Sequence, residues 1–168
     1  MNIIIMPNDF IIKKMNQAQT DLAISLTDDL KKHLVNILTT SMQNKYILHN
    51  FSGIDLLKSF EEKNYTTILE IANNNLLLCG LFPSFASSPT NNQNLTYRIE
   101  LCKLAFKTAA CNTNNTHAQI ILYNQLSITI IDLIDILLKT NNTYLQPQNI
   151  TQLLAYDSKY AKFILQGY

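Results

Sequence analysis

Three cysteines, three histidines, a close pair of aspartates and one arginine are the side chains in this sequence with the chemistry to build a site. Cys79, Cys102 and His117 would have to converge to make a nucleophile or a metal centre. A thiol becomes nucleophilic only when a neighbouring base or cation lowers its pKa, and the local sequence supplies neither. Cys79 and Cys102 fall in apolar stretches, where a free cysteine acts as a small hydrophobe. His33 follows Lys31 and Lys32 and reads as a surface residue; His117 reads as a polar residue at a helix start. Asp132 and Asp135 are three apart and share a helix face. A metal site in a helical bundle adds a Glu-x-x-His motif from other helices, and the sequence has none. No metal, cofactor or catalytic residue is expected. Arg98 has two readings: a solvent-facing residue, or the fixed planar donor of a buried pair or anion site, a role for which arginine suits better than lysine. Without a glycine-rich phosphate loop, nucleotide binding has no support. A ligand pocket, if present, is expected around Cys79, Phe85, Tyr97, Arg98 and Cys102.

The elements that position these residues must come from 168 residues, 47% of them apolar and only 15% charged. A chain of that length buries enough surface for one core, so one domain is expected. Asparagine and isoleucine each occur about twenty times, a usage resembling that of an AT-rich bacterial genome. A net charge of +1 with scattered lysines lacks the basic face that nucleic acid requires. The odd cysteine count without C-x-x-C spacing argues against a disulfide framework or a zinc knuckle and favours a reducing cytoplasm. The apolar start is interrupted by Pro7 and Asp9 and is followed by its charges, the reverse of a secretory leader.

Only three glycines and four prolines punctuate the chain, and no sustained alternation calls for a strand. A helix is predicted over 27–45, capped by Thr27, with Leu30, Leu34, Ile37, Leu38 and Ser41 inward. A shorter one over 54–63 turns Leu56, Leu57 and Phe60 to one side. The segment from Tyr65 carries Ile68, Ile71, Ala72, Leu76, Cys79 and Phe82 until Pro83 stops it. Residues 84–96 read as a loop in which Phe85 and Leu95 could cover an apolar crevice or touch a partner. The helix over 96–110 places Tyr97, Leu101, Leu104, Ala105 and Thr108 on one stripe. The longest prediction, 117–139, is apolar on all but a narrow line through Gln125, Thr129, Asp132, Asp135 and Lys139, and such a helix belongs in the middle of a bundle. Each aspartate in it would cost about 2.5–3.5 kcal/mol in a bilayer, so a membrane span is not expected. A last helix is predicted from 147 or 149, using Leu153, Leu154, Tyr160, Phe163 and Ile164.

Within "LLLCGLFPSFASSP", Gly80 is expected to admit a close neighbour while Leu76, Leu77, Leu81 and Phe82 fill the core. "NNNLLLCGLFPSF" followed by "TYRIELCKLAF" resembles a set of bacterial helical proteins without an established activity. In these a Gly-Asp pair precedes a Leu/Phe-rich run ending in Gly-(Leu/Phe)-Phe-Pro, and a Tyr-Tyr…Gly…Ala-Tyr helix follows. Leu76, Gly80, Phe82, Pro83, Tyr97, Glu100 and Ala105 carry the likeness over the middle third of the chain. Ala72-Asn73, Cys102 and Phe106 stand where that pattern has Gly-Asp, Gly and Tyr, so the resemblance implies a helical shape and lends no acidic site.

The expectation is therefore an all-α, single-domain bundle of five or six helices. Ile121, Leu122, Leu126, Ile130, Leu133, Ile134 and Leu137 are placed at its centre, and residues 1–26 form a more loosely packed arm. The function expected first is a non-enzymatic protein-interaction or regulatory module of the bacterial cytoplasm, self-association included, because a surface poor in charge associates without a large desolvation cost. The alternative is a small-molecule-binding protein or enzyme with a pocket between helices around Cys79, Tyr97, Arg98 and Cys102.

Overall fold

Helix-capping side chains set the element boundaries in a computed structural model that describes residues 7–43, 49–86 and 94–141. The described residues form eight helical segments and no strand: α1 (Pro7–Leu22), α2 (Asp28–Gln43), α3 (Gly53–Glu61), α4 (Tyr65–Leu81), the one-turn α5 (Pro83–Ala86), α6 (Leu95–Ala110), α7 (His117–Ile128) and α8 (Ile130–Asn141). Ser52 and Thr116 open α3 and α7 with reciprocal capping boxes, through Asp55 and Gln119 respectively. Asn64 and Asn94 cap α4 and α6 by accepting from the backbone amides of Thr67 and Tyr97. Each such cap satisfies an amide that a helix start leaves without a partner. The all-α expectation holds. The helix number does not, since seven segments exceed a single turn.

The central element is α4. Every residue from Asn74 to Gly80 is buried, as are Ile68, Ile71 and Ala72, so the second half of the helix is enclosed on all sides, while Thr66 and Glu70 keep one side of the first half in solvent. It packs chiefly against α6 and then α8; α6 also receives α7, and α1 lies on α8. Gly80 makes the α4–α8 approach possible: a Cβ built on it would stand 2.5 Å from Leu137 Cβ and 2.6 Å from Leu137 Cδ1. Phe82, expected in the core, is 49% exposed, because the helix ends at Leu81 and Phe82 becomes its C-cap.

The single long helix predicted over 117–139 is broken. α7 and α8 meet at an angle of 75°, with Thr129 (φ −95°, ψ 14°) at the corner. The Thr129 hydroxyl and amide both donate to the Gln125 carbonyl, at 2.8 and 2.9 Å, and the Ser127 hydroxyl donates to the Lys103 carbonyl of α6 at 3.0 Å. Hydroxyls bonding back to a carbonyl one turn earlier bend helices, and the β-branched run from Ile128 to Ile131 adds crowding at the corner. The bend carries Leu126, Ile130, Leu133, Ile134 and Leu137 into the core as expected, yet leaves Ile121 43% exposed and Leu122 only partly covered. No single helix among the described residues is long and apolar enough to cross a membrane.

In α2 the expected Leu30, Leu34, Ile37 and Leu38 are buried. Residues 7–22, expected within a loose arm, form α1, whose Ile11, Met15 and Ala18 join the same apolar cluster as α4, α6 and α8. The last predicted helix with its Leu153, Leu154, Tyr160, Phe163 and Ile164, loop positions 87–93, and the end of the 27–45 helix beyond 43 lie outside the described residues.

Candidate functional site

The repeat Leu95, Arg98, Ile99, Cys102, Ala105, Phe106, Ala109 is the stripe that α6 turns inward. Its spacing of three and four follows the helical period, and it puts Arg98 in the interior with no exposed surface. Tyr97 falls outside that stripe at 40% exposure and Leu104 at 54%, which corrects the expected stripe at both, whereas its Leu101 and Ala105 are buried as expected. Of the two readings of Arg98, the solvent-facing one is excluded.

Two neutral side chains meet the guanidinium. Nη1 donates to Asn75 Oδ1 at 3.3 Å, and Nη2 donates to Asn50 Oδ1 at 2.5 Å. Nε is buried without a hydrogen-bond partner. No carboxylate pairs with it among the described residues; the ionisable groups that act on it are the Cys79 thiol and the Tyr97 hydroxyl. Burial pushes the Arg98 pKa down, opposed by those two groups. Its position near the start of α6 sharpens the imbalance, since the N-terminal end of a helix is itself partially positive and the first turn of α6 holds no acidic residue.

One of the two acceptors for Arg98, Asn75, belongs to the asparagine triplet of α4, whose other two members hold neighbouring segments. Asn73 Oδ1 lies 2.8 Å from His33 Nε2 on α2. Asn74 takes the His49 peptide group from both sides: Nδ2 donates to its carbonyl, while Oδ1 accepts from its amide at 3.0 Å. Asn75 Nδ2 donates to the Ile71 carbonyl at 2.9 Å, leaving Oδ1 for Arg98. On the other side the Gly53 amide donates to the Tyr97 hydroxyl at 2.6 Å. Residues 49–53 are thus a strap across the α4–α6 seam, fixed at His49, Asn50 and Gly53. The amide of exposed Asn50 is the strap's contact with the guanidinium.

His33, expected on the surface, is half-buried, edge-on to the Phe106 ring with centroids 6.0 Å apart. Burial lowers its pKa, and the bond to Asn73 opposes that fall.

The structure brings Cys79, Arg98 and Cys102 together in the α4–α6 interface and leaves Tyr97 at its rim. Phe85 belongs to α5, its side chain outside the described set; Leu95, expected in the loop, is the fully buried first residue of α6. Burial drives the Cys79 pKa to about 12, although Arg98 pulls it down, and burial together with Cys79 drives that of Cys102 well above its ordinary value. The Cys102 thiol donates to the Ala72 carbonyl at 3.2 Å. Neither is a nucleophile at neutral pH. Among the described residues no three His, Cys, Asp or Glu side chains gather as metal ligands. An open depression lined by Asp9, Ile12, Lys13, Asn16, Gln17 and Thr20 follows the face of α1 alone and brings no second element to a ligand.

A second surface departs from expectation. α3 buries Leu56 and Ser59, and leaves Ile54, Leu57 and Phe60 exposed at 78%, 58% and 49%.

Sequence reasoning missed Asn50, Asn74 and Asn75. The available signal was three consecutive asparagines inside an apolar helix, where asparagine is a poor helix former. No family model, curated protein or solved structure matches the chain.

Proposed function

We propose that this protein is a non-enzymatic interaction module whose contact element is α3 and whose partner is a second copy of the same chain. The observation that carries this reading is the outward face formed by Ile54, Leu57 and Phe60 on a helix whose inner side is held by Leu56 and Ser59. Apolar side chains recurring every three residues on an exposed helix face gain by leaving water. Lys58 stands at one edge of that face and Glu61 falls on it one turn beyond Leu57. An antiparallel, two-fold pairing of α3 with itself turns each lysine toward the other copy's glutamate, the self-complementarity an isologous contact requires. Tyr97, tied to Gly53, extends the surface beyond the start of α3. The inert thiols of Cys79 and Cys102 support a binding role over a catalytic one, and a reducing bacterial cytoplasm is the setting we propose for three free cysteines.

A nine-residue helix offers less than the roughly 800 Å² per partner of a stable interface, so a weak, concentration-dependent dimer is expected. Sedimentation velocity of the full chain over a hundredfold concentration range tests this. Leu57→Asn should abolish the dimer and leave the helical signal intact; a strictly monomeric wild type overturns the reading.

A further inference from the structure

We propose that Arg98 is the anchor of an oxyanion site, for a carboxylate or a phosphate group, closed in this structure by the Asn50 amide. In a guanidinium, Nε and Nη2 point the same way and form the two-pronged side that planar and tetrahedral oxyanions take bidentately. Here one prong, Nε, has no acceptor, and the other holds only the amide oxygen of an exposed residue. Nη1 is engaged separately by Asn75, whose own Nδ2 is fixed to the Ile71 carbonyl. That contact therefore orients the guanidinium without using its bidentate side.

The charge balance points in the same direction. A cation withdrawn from water is held by an opposite charge in most folded proteins, because neutral acceptors repay only part of its desolvation. Arg98 is fully buried and lies near the positive end of α6, which has no acidic residue in its first turn. The Gly53 amide at the start of α3 is brought to the neighbouring Tyr97 hydroxyl, so a second helix begins at the same place. An oxyanion replacing the Asn50 amide fills both open donors at once and supplies the missing charge. Asn74, which grips the strap one residue away at His49, lets Asn50 turn out without releasing the rest of the segment. The proposal does not rest on the α3 contact face: it is read from the Arg98 Nε–H signal and not from the oligomeric state.

The chain's sole arginine provides the readout, since its Nε–H resonance in a ¹⁵N-labelled sample needs no assignment. The full chain is titrated with sodium phosphate and, separately, with sodium acetate, against sodium chloride at matched ionic strength and pH. The expected result is a saturable shift of the Nε–H signal with at least one oxyanion and none with chloride; the arm that responds identifies the group. Asn50→Asp puts a carboxylate on the same donors. It should shift the Nε–H signal without added anion and weaken the response at least about tenfold through like-charge repulsion. A wild-type signal unmoved by both oxyanions overturns the proposal. So does an Asn50→Asp protein that responds as the wild type does, because binding then occurs elsewhere.

Discussion

Asn74 grips the peptide group of His49 by both its donor and its acceptor across 25 positions of sequence. A side-chain amide that satisfies both polar groups of one residue does for a strap what a neighbouring strand does for a sheet edge. It fixes the backbone of a segment that has no helical hydrogen bonds of its own. Asn74 is 2% exposed, so its removal leaves that backbone to water or to nothing.

Asn74→Ala is therefore expected to destabilise the fold by about 1–3 kcal/mol, the range for stranding buried hydrogen-bonding groups. The loss should be local first. In hydrogen exchange, the His49 and Gly53 amides should lose protection well before the amides of α4.

Gly80→Ala adds one methyl group against Leu137, whose Cβ cannot withdraw without moving α8. Overpacking of this kind costs about 1–3 kcal/mol, and thermal denaturation should show a lower Tm. Adding Leu137→Ala should recover part of the loss, since the pair is in contact and the two effects are not additive.

Native thiol titration should find one reactive group per chain. Cys111 is exposed, whereas Cys79 and Cys102 are buried. With the Cys79 pKa near 12, its thiolate fraction at pH 8 is about one in ten thousand. Alkylation of the second and third thiols should track global unfolding. Fast native labelling of Cys79 or Cys102 contradicts the inert-thiol argument.

His33 predicts an acid-side weakening. Its folded pKa lies below the ordinary 6.5, so the unfolded chain takes up a proton first as the pH falls. Stability should be level with respect to this group above about pH 6.5 and decline from there down to its folded pKa. His33→Gln, which keeps an amide donor for Asn73, should flatten that part of the curve. Asp55 acts in a lower window: its carboxylate, bonded by Ser52, is held below 3.8, so its contribution is present above 3.8 and fades on further acidification.

The inward faces of α2 and α4 were legible in the sequence because leucine and isoleucine alone mark them; Leu30, Leu34, Ile68, Ile71 and Leu76 needed no further information. α6 offered two competing stripes. Counting apolar residues favours the one through Tyr97, Leu101 and Leu104, of which only Leu101 is buried; the rest of the inward side emerges only if a lone arginine is allowed inside. That allowance depends on Asn75 and Asn50, which lie 23 and 48 positions away and carry no local pattern. α3 misled for a related reason: Leu56, Leu57 and Phe60 look like one apolar side, yet of the three only Leu56 is buried, and the other two stay outside. The corner at Thr129 was hidden because Ser127 and Thr129 are compatible with a straight helix until α6 supplies the Lys103 carbonyl.

That corner decides where a large apolar surface goes. Continued straight, residues 117–141 would carry the apolar side chains of both halves along one rod too long for the neighbours to cover, and uncovered apolar area of that kind invites association. Turning at Thr129 lays the second half on α4 and α1, which take up that surface. One bend thus turns a sticky rod into interior filling.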